Sequence, residues 1–177
     1  LVTQGVVDSK KLIIDKVIAL ADVIKSQCLS YQVISIAPRK FNRLLKEVRD
    51  EGKSMNDLLA WAHAKAVKEV YSDLQRRNIS GKIKLVIDQF DKLKTEERLK
   101  RAIEMAKFDV EQTPKAEEQT AVAAAGILAR AVRELWIDEE SKRLHLDLRN
   151  LSPIEALNNE YVEEFAKVSF LHRKTMY

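Results

Sequence analysis

Asp88 closes the run Lys84-Leu85-Val86-Ile87-Asp88-Gln89-Phe90, in which three apolar, partly β-branched residues lead straight into a carboxylate and then an aromatic. A short apolar run between helix-patterned segments reads as a strand buried on both faces. Ligands of open α/β sheets bind where strands end, so Asp88 is the first catalytic candidate. The competing reading is structural: aspartate is a common turn former, and Asp88 would then cap the next turn. A second stretch favours chemistry. Pro114-Lys115-Ala116-Glu117-Glu118 leads into a helix of small residues, Thr120–Arg133. His63, on a helical segment, could sit near a phosphate or assist catalysis, although a lone helical histidine is more often a packed or surface residue. It has no second His or Cys at ligand spacing, which argues against a zinc site.

A chain of 177 residues is expected to make one domain with a sizeable core. Its hydrophobic share of 46% and charged share of 33% are those of an ordinary water-soluble fold. A net charge of +4 permits a polyanionic partner without demonstrating one. Cys28 is the only cysteine, so an internal disulfide is excluded and a reducing cytoplasm is the expected setting. No apolar run approaches the roughly 18–20 residues of a membrane span, and no signal peptide is visible. The first residue is Leu1 rather than Met, which suggests truncation.

The elements that must position these residues follow from spacing. Asp8-Ser9 offers a helix cap, and Leu12, Val17, Leu20, Val23 and Ile24 recur at helical intervals, predicting a helix over 9–27. The stretch 28–37 carries Tyr31, Val33, Ile34 and Ile36 and reads as a strand. Pro38 suits a first helical turn, and Gly52 suits a left-handed helix end. Ser54 then caps a longer helix over 55–78, with a turn at 78–81. A strand over 82–90 follows, then a helix from Thr95. Lys92, Lys94, Arg98, Lys100, Arg101 and Lys107 make that region basic, either as a solvated face or as a phosphate-contacting one. Residues 108–112 alternate as a half-exposed edge strand would. A helix is predicted over 117–134, a strand or extended arm over 138–149, and a last amphipathic helix after the Ser152-Pro153 cap.

Four pieces together carry a resemblance: Gly5-Val6-Val7-Asp8-Ser9-Lys10-Lys11-Leu12; Asn56-Asp57-Leu58-Leu59-Ala60-Trp61-Ala62-His63; Ile87-Asp88-Gln89-Phe90; and Lys115-Ala116-Glu117 followed by Ala121-Val122-Ala123-Ala124-Ala125-Gly126-Ile127-Leu128-Ala129-Arg130. In this order they resemble the type 2 ribonuclease H family, most closely its ribonuclease HIII branch, over Gly5–Arg133. The tail beyond Arg133 matches loosely, although His172-Arg173-Lys174 resembles a family tail. Most family members have serine where Gly126 stands.

The resemblance implies a mixed α/β fold: a ribonuclease H-like sheet flanked by helices, with a C-terminal helical segment. It also implies endonucleolytic hydrolysis of the RNA strand of RNA/DNA hybrids with Mg²⁺ or Mn²⁺ as cofactor. Four carboxylates would hold two ions. Hard divalent cations take oxygen ligands, and two of them can activate a water and stabilise the leaving oxygen. By position, Asp88 and Glu117 are two of the four acids, with Glu118 an alternative to Glu117 because the linker to Ala121 is one residue short. Ser9 and Lys10, in the Asp-Ser-Lys motif, flank the active site as substrate contacts. The family's Asp-Glu-x-Gly-x-Gly strand, which supplies the first two acids, is not found. Asp50-Glu51-Gly52 and Asp138-Glu139 sit in helix-end contexts. The expectation is therefore a single ribonuclease H-like catalytic domain over residues 1–177, truncated at its N-terminus, its first strands missing. Such a chain would be cytoplasmic, monomeric, not membrane-bound and inactive on its own. The alternative is a non-catalytic α/β module that binds nucleic acid or protein.

Overall fold

The computed structural model describes residues 5–88 and 90–174, with the side chains of 172–174 excepted. The predicted connection at 1–7 lies in part, Gln89 wholly, and the basic side chains of the tail wholly outside the described residues. The chain divides into two compact units, one made of Leu1–Ile34 and Leu59–Val132, the other of Ser35–Leu58 and Arg133–Tyr177.

The first unit holds α1 (Ile14–Gln27), most of α3 (Met55–Arg76), β1 (Ile83–Asp88), α4 (Lys92–Ala102), β2 (Phe108–Thr113) and the first half of α5 (Thr120–Leu144). Val17, Leu20, Ala21 and Ile24 recur at three- and four-residue intervals, so one face of α1 is apolar and buried. It packs with Ala123, Ala124, Ile127, Leu128 and Ala131 of α5. The alanines let the two helices approach closely. Ile127 and Val17 have no exposed surface, and each such side chain contributes about 1.5–3 kcal/mol of burial. A second cluster gathers Ala64 of α3, Ile87 of β1 and Leu99 of α4, with Leu85, Val110 and Met105 against it.

β1 and β2 are parallel, in register Ile83 with Phe108 through Asp88 with Thr113. The strand predicted over 82–90 is thus present and shorter. Ile87 is buried and Val86 half-buried. The expectation of a strand buried on both faces needs correction: Lys84 is exposed and its ammonium pairs with Glu111 at 2.7 Å. Among the described residues β1 has one ladder partner, so its other edge is unpaired.

Other boundaries moved for local reasons. The helix predicted over 9–27 is broken. Ser9–Lys11 forms one 3₁₀ turn, Leu12 and Ile13 are extended, and α1 begins at Ile14. The stretch 28–37 is not part of any ladder, because β-prone residues form a strand only with a partner. α4 starts three residues before Thr95: Asp91 is the cap, its carboxylate accepting from the Lys94 N–H at 3.2 Å. Thr95 is buried inside the helix, its hydroxyl donating to the Asp91 carbonyl at 2.7 Å.

The second unit contains α2 (Pro38–Asp50), the start of α3, the rest of α5, and the short helices α6 (Pro153–Leu157), α7 (Val162–Phe165) and α8 (Val168–Lys174). The single last helix expected here is three pieces. Ser152 is the predicted cap, and Glu155 completes a capping box with it, but Asn159 stops the run, its side chain accepting from the Tyr161 N–H at 2.9 Å. The strand or arm expected over 138–149 is also corrected. Helix α5 runs on to Leu144, His145 takes a left-handed φ of 53°, and the chain turns back. Arg149 then pairs with Glu134 and with Asp138, the latter at 2.8 Å. Asn42 of α2 ties down the α7–α8 junction by donating to the Ala166 carbonyl at 2.9 Å and accepting from the Val168 N–H at 3.2 Å. Beside it, the Lys167 ammonium lies 4.3 Å over the Phe41 ring. Burial, with help from the charge of Arg133, pushes the Lys167 pKa down.

Candidate active site

β1 delivers Asp88 to its carboxyl end, where the side chain is exposed. The chain leaves β2 at Thr113, directly across the ladder from Asp88, and enters a tight turn at Pro114 and Lys115. Lys115 has a left-handed φ of 57°, a conformation that costs a side-chain-bearing residue about 1–2 kcal/mol. This bend starts the 3₁₀ turn Ala116–Glu118 and brings the Ala116 N–H to Oδ1 of Asp88 at 3.4 Å. The bond is long and weak by ordinary criteria. It nevertheless fixes which parts meet: Asp88 and the glutamate-bearing turn share one end of the sheet. Glu117 is half-buried and Glu118 exposed, and both precede α5 rather than lying in the helix predicted over 117–134.

Behind Asp88 lies His63 of α3. Its ring packs on Phe90 with centroids 5.2 Å apart and planes tilted by 38°. This packing desolvates the imidazole and lowers its pKa from the ordinary 6.5, while the charge of Asp88 pulls the other way and offsets only part. His63 is nonetheless exposed to solvent, so the desolvation is incomplete.

Ser9 and Lys10 stand on the 3₁₀ turn, against α5 rather than on α1. The Asp8 carboxylate caps the turn by accepting from the Lys10 N–H at 3.0 Å. Ser9 Oγ lies 3.7 Å from where a Cβ on Gly126 would stand. Arg130, one helical turn further along α5, donates through Nη1 to the Ser9 carbonyl and, at 2.9 Å, to that of Leu12. Spacing gave no role to Arg130, because these two acceptors are backbone carbonyls, which leave no residue-type signal. The left-handed Lys115 was equally silent, being a lysine where glycine or asparagine is usual.

The basic residues of α4 divide. Lys92 and Lys100 are exposed, and Arg101 pairs with Glu97 one turn away. Along β1 the first unit also opens an apolar groove of about 670 Å³, lined in part by Val33, Val67, Leu85 and Leu128.

A carboxylate thus stands at the end of a parallel strand, a glutamate-bearing turn is bonded to it, and a polar turn is clamped to the helix that follows. The chain belongs to the ribonuclease HII family, whose model matches residues 1–169. It is 36% identical to ribonuclease HIII of Protochlamydia amoebophila over 81% of this chain and 44% of that protein. It is 32% identical to ribonuclease HIII of Chlamydia pneumoniae over 95% of this chain and 55% of the relative. The fold is similar to a crystal structure of Bst-RNase HIII in complex with Mn²⁺, with a TM-score of 0.78 and 22% identity over 98% of this chain and 57% of that one. The chain thus spans about half the length of the curated relatives it matches.

Donor chemistry bears on whether a divalent ion suits this site. Asp88, Glu117 and Glu118 offer only carboxylate oxygens, the ligands hard cations such as Mg²⁺ and Mn²⁺ take. Among the described residues no group of three or more His, Cys, Asp or Glu side chains could hold a metal ion. Asp88, Glu117 and Glu118 thus match a hard cation in donor type but do not by themselves form a complete ligand set among the described residues. No described helix is long and apolar enough to cross a membrane.

Proposed function

We propose that this chain is the larger part of a single ribonuclease H catalytic domain that cuts the RNA strand of RNA/DNA hybrids internally. Asp88 and Glu117, or Glu118 in its place, are two of its metal-binding carboxylates, and Asp88 and Glu117 serve in catalysis. Ser9 and Lys10 contact the hybrid. The observation that carries this reading is the bond from the Ala116 N–H to Asp88, which joins two acid-bearing segments 28 residues apart in sequence. Divalent ions bound there would lower the pKa of a bound water and offset charge on the scissile phosphate. The residues of this chain have separate tasks. Asp88, rooted on β1, gives the site a rigid oxygen donor. The Lys115 bend aims the glutamates at the same end of the sheet. The packing of His63 lowers its pKa and so weakens any competing positive charge beside Asp88. Lys10 supplies a phosphate contact.

Two carboxylates hold Mg²⁺ weakly without further ligands. The unpaired edge of β1 and its apolar groove support a further strand there, one bearing the family's Asp-Glu pair. The test is to assay residues 1–177 with Mg²⁺ or Mn²⁺, then a form extended by such a strand. Cleavage of the hybrid only by the extended form is expected. Cleavage by residues 1–177 alone would mean the active site lies elsewhere. A folded, inactive extended form would favour the non-catalytic binding module.

A further inference from the structure

The 3₁₀ turn that carries Ser9 and Lys10 is only three residues long. Its own bonds are few: the Lys11 N–H to the Asp8 carbonyl at 3.0 Å, the Leu12 N–H to the Ser9 carbonyl at 3.2 Å, and the Asp8 side-chain cap. A 3₁₀ turn has poorer hydrogen-bond geometry than an α-helix and does not hold its place unaided. Lys10 and Lys11 are exposed, and Leu12 and Ile13 beyond them are extended. What holds the turn from outside is α5. Gly126 leaves room for Ser9 Oγ at 3.7 Å. The two protons of Arg130 Nη1 go to two carbonyls, one at each end of the turn, more than 115 residues away in sequence. Charge-assisted bonds to a planar fork fix orientation as well as position. The same helix is preceded, two residues upstream, by the turn bearing Glu117 and Glu118.

Resting on the reading of Ser9 and Lys10 as substrate contacts, we infer that Arg130 is a positioning residue for the nucleic acid. It touches no phosphate itself. It holds the Ser9–Lys11 turn at a set distance along α5 from the acidic turn, so that Lys10 meets a backbone phosphate in register with Asp88.

The inference is tested on the full 177-residue chain by fluorescence anisotropy of an RNA/DNA hybrid across a salt series, without divalent ions. The variants are K10Q, R130M, R130K and the double variant K10Q/R130M, with thermal melts of each. K10Q should weaken binding about three- to tenfold and flatten the salt slope by about one, as loss of one phosphate contact does. R130M should reproduce both effects, and the double variant should be no worse than K10Q alone. R130K keeps the charge but not the fixed fork, so it should weaken binding about two- to threefold. It also serves in the cycle if R130M does not fold. Additive losses, with the slope falling by about two in the double variant, would make Arg130 a direct phosphate contact and overturn the inference. R130M or R130K binding like wild type while K10Q is weakened would overturn it too, and would leave the substrate role of Lys10 standing. A lower melting temperature with an unchanged salt slope would show a merely structural role. If K10Q binds like wild type, or the wild-type chain does not bind at low salt, the substrate reading of the turn fails and the inference with it. Cleavage by the extended form, assayed separately, decides whether the nuclease reading fails as well.

Discussion

Asp88 and Glu134 are both carboxylates, and the protein treats them in opposite ways. Glu134, in the second unit, is 3% exposed and closed in by Arg133 at 2.8 Å and by Arg149. Arg149 in turn holds Asp138 and the Glu134 carbonyl, so its guanidinium is spent on structure. The pKa of Arg149 is raised by its hydrogen bonds to these two acids. Asp88, in the first unit, is exposed and, among the described residues, receives one long backbone bond. A buried carboxylate must be paired, or it loses its charge. An exposed carboxylate at a strand end, held on a rigid backbone but not neutralised, keeps its lone pairs for a ligand. We read the saturated carboxylate as structural and the exposed one as the candidate for a ligand.

The largest expected effect breaks the comparison on the chemical side. In the extended, active form, Asp88→Asn should lower hybrid cleavage by at least about a hundredfold, the scale of losing one transition-state stabilising group. Its urea midpoint should stay within the small range of a surface change, about 0.5 kcal/mol. Equal losses of activity and stability would return Asp88 to the role of a turn cap. On the structural side, Arg149→Met removes one of the two arginines that pair with the buried Glu134. Breaking a buried pair costs about 3–5 kcal/mol, and the partial exposure of Arg149 reduces this to about 2–3 kcal/mol in urea denaturation. An unchanged midpoint would show that Glu134 is not held by this pair.

Two smaller effects sharpen the picture. Gly126→Ala adds a Cβ in ordinary contact with Ser9 Oγ, 3.7 Å away, in the middle of a helix. It should raise stability by about 0.5–1 kcal/mol, read as an increase in Tm. His63 has a folded-state pKa below its unfolded value of 6.5, so folding releases a proton from it. Its stabilising contribution is complete above about pH 6.5 and is lost as pH falls through the lower folded value. His63→Gln should flatten that part of a stability–pH profile, and an unaltered profile would place the titration elsewhere.

The sequence was legible where one residue type dictates one local outcome. Pro38 and Gly52 bound α2, the Ser152-Pro153 cap starts α6, and the apolar run ending at Asp88 is a strand. The family, and the α/β character of the fold, were legible from four short pieces in order. What failed was whatever needed a partner. The stretch 28–37 has strand composition but no strand beside it, and the alternating leucines 144, 146 and 148 lie across a helix end. Within the site, Asp88 was readable as a strand end. The Lys115 bend and the Arg130 clamp were not, since backbone carbonyls and a strained φ are written in no residue type.

The most direct test of the contrast between the two carboxylates is a Mn²⁺ titration of the ¹⁵N-labelled chain followed by NMR. Paramagnetic broadening should appear first at the amides of Asp88, Ala116, Glu117 and Glu118, spare Glu134 and Asp138, and vanish from the first group in Asp88→Asn. Broadening centred on Glu134 and Asp138, or broadening at the 116–118 turn that survives Asp88→Asn, would contradict the assignment of Asp88 as the metal-binding acid.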